Sequence, residues 1–106
     1  MVTRRDLSFG AQSIQCGHAA IDFQHQHPEL AKLWHSHSNY LAYLTVKDEQ
    51  ELIDLIVKAT LRGIKYTLFR EPDINNQITA VAFEPTSASR KLTSSLPLLG
   101  KEVSYA

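Results

Sequence analysis

Tyr40-Leu41-Ala42-Tyr43-Leu44-Thr45-Val46 is a nearly continuous apolar run bounded by polar residues, which reads as a β-strand covered on both faces and so as a central strand. Directly after it, Asp48 and Glu51 have the spacing of a capping box. Leu52, Leu55, Ile56 and Ala59 then form a helical stripe over 48–62 that stops at Gly63. A second strand follows at 64–69, where Ile64, Tyr66 and Leu68 alternate with Lys65 and Thr67. After a polar loop of about eight residues comes a last strand at 78–84. Upstream, residues 2–6 read as a short strand and 11–26 as a helix, and Pro28 opens a further helix to about His35. Ser87 to Leu96 predicts a closing helix ended by Pro97 and Gly100. Strand, helix, strand with a crossover of this length favours parallel pairing, whereas the short link between the last two strands favours antiparallel pairing. The pattern predicts a small single α/β domain with a mixed four-stranded sheet flanked by helices on both faces, without repeats or linkers.

A chain of 106 residues, 43% hydrophobic, buries about 60–68% of its unfolded surface, enough for one core without a staple. Cys16 is the only cysteine, so no intramolecular disulfide forms, as suits a reducing compartment. The opening Met1-Val2-Thr3-Arg4-Arg5-Asp6 lacks the apolar run of a signal peptide, and no segment approaches the roughly 20 apolar residues of a membrane span. The expectation is a cytoplasmic protein away from the membrane. Eleven Lys plus Arg balance eleven Asp plus Glu, so any nucleic-acid footprint must be gathered locally by folding. Arg4 and Arg5, Arg62 with Lys65, Arg70, and Arg90 with Lys91 lie near element ends where that can happen. Scattered solubilising charge is the plainer alternative.

Two stretches carry chemistry. In Gly10-Ala11-Gln12-Ser13-Ile14-Gln15-Cys16-Gly17-His18-Ala19-Ala20 a glycine turn, an amide, a thiol and an imidazole meet where a strand hands over to a helix. A helix beginning near Ala11 turns unpaired N–H groups outward, and Ala11, Gln15, His18 and Asp22 share one face behind that positive end. Ile14, Gly17 and Ile21 lie on a flank suited to burial. Gln15 can position a water or a carbonyl, and His18 can move a proton or hydrogen-bond a ribose. The alternative is a polar helix surface with a satisfied histidine. Cys16, about 100° around the helix, reads as a small core residue. In the second stretch, Arg70-Glu71-Pro72-Asp73-Ile74-Asn75-Asn76-Gln77, Pro72 fixes a turn at the carboxyl end of a strand, the side on which open α/β sheets bind ligands. Glu71 or Asp73 can orient water there, and Asn75 and Asn76 can donate hydrogen bonds; an ordinary turn uses the same residues.

The five histidines, at 18, 25, 27, 35 and 37, do not have a zinc-site pattern, because residues two apart on a helix point different ways. No metal or other cofactor is expected. Trp34, following Leu30 and Leu33, reads as a core residue, and Thr86-Ser87-Ala88-Ser89 as a helix cap rather than a phosphate site.

Gln15-Cys16-x-His18-Ala19 resembles the signature helix of the archaeal/eukaryotic-type peptidyl-tRNA hydrolases, the second peptidyl-tRNA hydrolase family. Arg5-Asp6-Leu7 resembles the end of that family's first strand, His27-Pro28-Glu29-Leu30 with Trp34 its short second helix, and Thr79-Ala80-Val81-Ala82-Phe83-Glu84-Pro85 its last strand. The resemblance implies the same α/β architecture and hydrolysis of the ester joining a peptidyl or aminoacyl group to the 3′ ribose of tRNA. In that reading Glu71 or His18 serves as base, Asp73 is the alternative acid to Glu71 for orienting the water, and the oxyanion meets the Gln15 amide and the N–H groups near Ala11, Gln12 and Ser13. Arg4, Arg5, Arg70, Asn75 and Asn76 hold the substrate. The chain departs from the family in two places. The lysine of a Gly-Lys-x-x-x-Gln arrangement is Ala11 here, and the motif of an aspartate followed by Ala-Gly-x-Thr and a Pro-Gly loop is replaced by 70–77, Glu71 aligning with the aspartate and no threonine with the threonine. A non-catalytic module that binds tRNA ends, a nucleotide or a protein is the alternative these departures raise. A homodimer through an exposed sheet or helix face is the third.

Overall fold

The computed structural model describes residues 1–102. The strands are β1 (Val2–Arg4), β2 (Leu44–Val46), β3 (Tyr66–Glu71) and β4 (Gln77–Phe83). The helices are α1 (Phe9–Gln26), α2 (Pro28–Ser36), α3 (Glu49–Leu61) and α4 (Ser87–Leu92), and a 3₁₀ turn covers Pro72–Ile74. The strand order is β2-β1-β4-β3, with β1 and β2 parallel and β4 antiparallel to both β1 and β3. This is the expected mixed α/β sheet. Crossovers through helices make β1, β2 and β3 run one way, and the tight connection after β3 makes β4 run against them.

Two packed layers hold the sheet. On one face Leu52, Leu55 and Ile56 of α3 close over Val2, Val46, Ile78 and Val81, with Leu92 of α4 and Leu96 at the margin. On the other face Ala19 and Phe23 of α1 meet Ala80 and Ala82, with Phe69 beside them. The small residues on both sides of that second contact let α1 approach the sheet closely, and it spans β4 and β3.

Four expectations are corrected. The apolar run 40–46 is not central: only Leu44–Val46 is strand, and it is an edge. Its outer side is covered instead by the segment after α4, the Thr45 N–H donating to Pro97 O at 2.9 Å and the Leu99 N–H to Tyr43 O at 2.9 Å. Covering an edge demands apolar residues just as a central position does, so the two look alike in sequence. Second, α1 begins at Phe9, because Ser8 caps it by accepting the Ala11 N–H at 3.3 Å. Third, Ile14 and Ile21 are exposed, while the buried stripe is Gln12, Gln15, Cys16, Ala19 and Phe23. Fourth, Trp34 is half-buried on a helix without a single buried residue, its indole N–H donating to Tyr40 O at 2.6 Å and tying α2 to the next loop. The first strand stops at Arg4, the third runs on to Glu71, and the last helix stops at Leu92.

β4 carries a β-bulge that positions the site. Phe69 pairs with Ala80 but Arg70 pairs with Ile78, so Thr79 is the extra residue. Strict alternation would aim Thr79 at α3 with Val81; the bulge turns it toward α1.

Candidate functional site

Gln15 is buried on α1, although a free glutamine prefers water. Both ends of its amide are engaged. The oxygen accepts the hydroxyl of the fully buried Thr79 at 2.5 Å, and Nε2 donates to Glu71 Oε1 at 3.0 Å. The Thr79 carbonyl, displaced from regular pairing by the bulge, accepts the hydroxyl of buried Thr3 at 2.7 Å. A hydrogen-bonded line therefore runs from β1 through β4 and α1 to Glu71 at the end of β3. Each member fixes the next, and buried polar groups linked in this way hold one geometry. Among the described residues no further hydrogen bond is made by the second hydrogen of the Gln15 Nε2 or by the second oxygen of half-buried Glu71.

His18, one turn further along α1, is exposed on its outer side and stacked on Phe69, ring centroids 4.3 Å apart and planes inclined by 15°. Gln15, His18 and Glu71 thus gather where α1 crosses the end of β3. Asp73 lies beyond them in the exposed turn, so of the two acids only Glu71 is held by the Gln15 amide. Asn75 and Asn76 adopt left-handed φ of 59° and 58°, which asparagine tolerates better than other side-chain-bearing residues, and they close the turn back into β4. Exposed Arg70 donates to Asn76 O at 3.2 Å across that turn.

The N–H groups assigned to an oxyanion are used elsewhere. Ala11 N–H goes to the Ser8 hydroxyl and Gln12 N–H to Ser8 O at 2.9 Å, because α1 starts two residues early, and Ser13 stands inside the helix. Buried Gln12 donates its own amide to Leu7 O at 2.8 Å. Arg4, expected at a substrate surface, is buried and clasped: Nε and Nη2 hold both oxygens of Asp6 at 3.0 and 2.8 Å, and Nη1 holds Gln77 Oε1 at 2.8 Å and Ile78 O at 3.1 Å. The Arg4 hydrogen bonds hold the Asp6 carboxyl below its ordinary range, and the Arg4 guanidinium rises correspondingly. Half-buried Arg5 donates to Thr45 O and Oγ1 at 3.2 and 3.1 Å. Burial pushes the Cys16 thiol up to about 11, which keeps it protonated and inert. Among the described residues no group of three metal-ligating side chains forms, and no helix is long and apolar enough to cross a membrane.

Thr79 is the site residue that sequence reading missed. Its signal was its being the one polar residue in Ile78-Thr79-Ala80-Val81-Ala82-Phe83.

The family model described as "Peptidyl-tRNA hydrolase PTH2" matches residues 1–99. Proteins named "Peptidyl-tRNA hydrolase 2, mitochondrial" from Bos taurus and from Homo sapiens are each 30% identical over 77 residues, covering 67% of this chain and 43% of theirs. The chain thus matches less than half the length of these curated relatives. A family match that runs through nearly all the described residues takes in the sheet, both helical layers and the Gln15 helix together, and the chain belongs to the PTH2 family of peptidyl-tRNA hydrolases.

Proposed function

We propose that this protein hydrolyses the ester between a peptidyl or aminoacyl group and the 3′ end of tRNA. The observation that carries the reading is a carboxylate, Glu71, held by an amide that is itself held by a buried hydroxyl. Glu71 takes a proton from water, the water oxygen attacks the ester carbonyl, and the free Gln15 N–H donates to the oxyanion as it forms. Collapse of the tetrahedral intermediate expels the ribose 3′ oxygen, which receives the proton from Glu71, leaving a peptide acid and free tRNA. Arg70, exposed next to Glu71, is the cation assigned to a tRNA phosphate; Arg4, buried in its clasp, is not. We place this activity in the cytoplasm, where a single buried thiol is at home. The relatives' names assign those proteins to mitochondria, so imaging of a tagged full-length chain tests the compartment.

A second reading, binding of tRNA ends without turnover, is favoured by one observation: Ala11 stands where the resemblance puts a lysine. Purified protein with N-acetyl-aminoacyl-tRNA, without added metal, separates the two. The hydrolase releases N-acetyl amino acid, and Glu71→Gln lowers kcat by roughly a hundred- to ten-thousand-fold with a smaller change in KM. Gel-shifted tRNA with no release establishes the module instead.

A further inference from the structure

We infer that the outer face of the His18 imidazole is a stacking shelf for the terminal purine base of the tRNA acceptor end, and that His18 binds substrate through its ring plane rather than by carrying a proton. The inference rests on the hydrolase reading for the identity of the ligand. One face of His18 is spoken for: Phe69 lies under it nearly parallel, at 4.3 Å and 15°. The residue is nevertheless exposed, so the other face of a flat aromatic ring is presented to solvent. The shelf is rigid, since His18 stands on the 18-residue α1 and Phe69 on a strand paired to β4. Proteins hold unpaired bases by stacking them on such rings, a contact that needs no titration and no particular base edge.

Position identifies which base. Gln15 and His18 are three apart on one helix face, about 5–6 Å between Cβ atoms. Phe69 and Glu71 are two apart on β3 and point to the same side of the sheet. Shelf and reacting groups are therefore neighbours on both elements, and a base on His18 places its own sugar, and the ester on that sugar, beside Gln15 and Glu71. A groove of about 560 Å³, lined by Phe23, Trp34, Tyr40, Phe83 and Arg90 among others, lies elsewhere and does not include any of these groups.

The probe is the trinucleotide cytidylyl-cytidylyl-2-aminopurine, whose fluorescence falls when its terminal base stacks. Wild-type protein quenches it. His18→Phe, which keeps a flat ring and removes both nitrogens, retains the quenching and binds the trinucleotide within about threefold of wild type. His18→Ala, shown folded by its circular dichroism, weakens trinucleotide binding roughly five- to a hundred-fold and raises KM in proportion with kcat little changed. Undiminished quenching by His18→Ala, loss of quenching in His18→Phe, no quenching by the wild type, or a collapse of kcat rather than a rise in KM in His18→Ala each overturns the shelf. Because quenching is read without turnover, a wild type that quenches but does not hydrolyse defeats the hydrolase reading and leaves the shelf standing.

Discussion

Gln15 and Cys16 are adjacent on one helix and have opposite roles, because about 100° of rotation separates them. Gln15 turns to the Thr79 and Glu71 line, whereas Cys16 has none of its surface exposed and its thiol is raised to about 11. A group whose folded-state pKa exceeds its ordinary value of 9.0 binds its proton more tightly when folded, so stability falls as pH rises through that window. Thermal melts of the wild type should show a midpoint that drops between about pH 9 and 11, and Cys16→Ala should flatten that drop. An aromatic disulfide reagent should leave the native thiol untouched and react once the protein is denatured. Arg4 shows residue chemistry overruled by place. A charge at the end of a strand reads as available to phosphate, but folding closes Asp6, Gln77 and the Ile78 carbonyl around it. Arg4→Met should cost about 1–3 kcal/mol in urea titrations, since it leaves the Asp6 carboxylate and a buried carbonyl without their donor.

At the scale of elements, the β4 bulge is what makes a site out of an ordinary strand. Thr3 on β1 holds the carbonyl of the bulged residue, and Thr79 in turn holds Gln15. Thr3→Val keeps the shape and removes the hydroxyl, so we expect a loss of about 1 kcal/mol in stability together with a fall in kcat larger than any rise in KM. Thr3→Ser should restore both. A kcat equal to wild type in folded Thr3→Val would mean that the bulge holds without this bond. The capped ends behave as their sequences indicate: Asp48 accepts the Glu51 N–H at 3.0 Å at the start of α3, so Asp48→Ala should cost about 1 kcal/mol in the same titrations.

For the whole molecule, a net charge of zero means that the tRNA binding we propose would depend on where a few cations stand. With Arg4 withdrawn into its clasp, Arg70 is the exposed cation beside the site, and Arg70→Ala should reduce the salt dependence of tRNA binding by about 0.7–0.9 in log–log slope while leaving stability within about 0.5 kcal/mol. An unchanged slope would remove Arg70 from the phosphate contact. The order of elements, the mixed sheet and the helix carrying Gln15 and His18 were legible in the chain itself. They follow from local rules: caps at Asp48, a stop at Gly63, the α3 stripe from Leu52 to Ala59, and alternation through β3. The same local reading failed wherever two tertiary situations leave one sequence pattern. An apolar run serves a central strand or a covered edge alike, as at 44–46. Ile14 and Ile21 have the spacing of a buried stripe, yet the close contact between Ala19 and the alanines of β4 settled which side of α1 faces the sheet. Thr79 belongs to the site only because one unpaired residue in β4 reversed the direction of its side chain, a choice made by pairing between strands distant in sequence, so no periodicity within the strand could announce it.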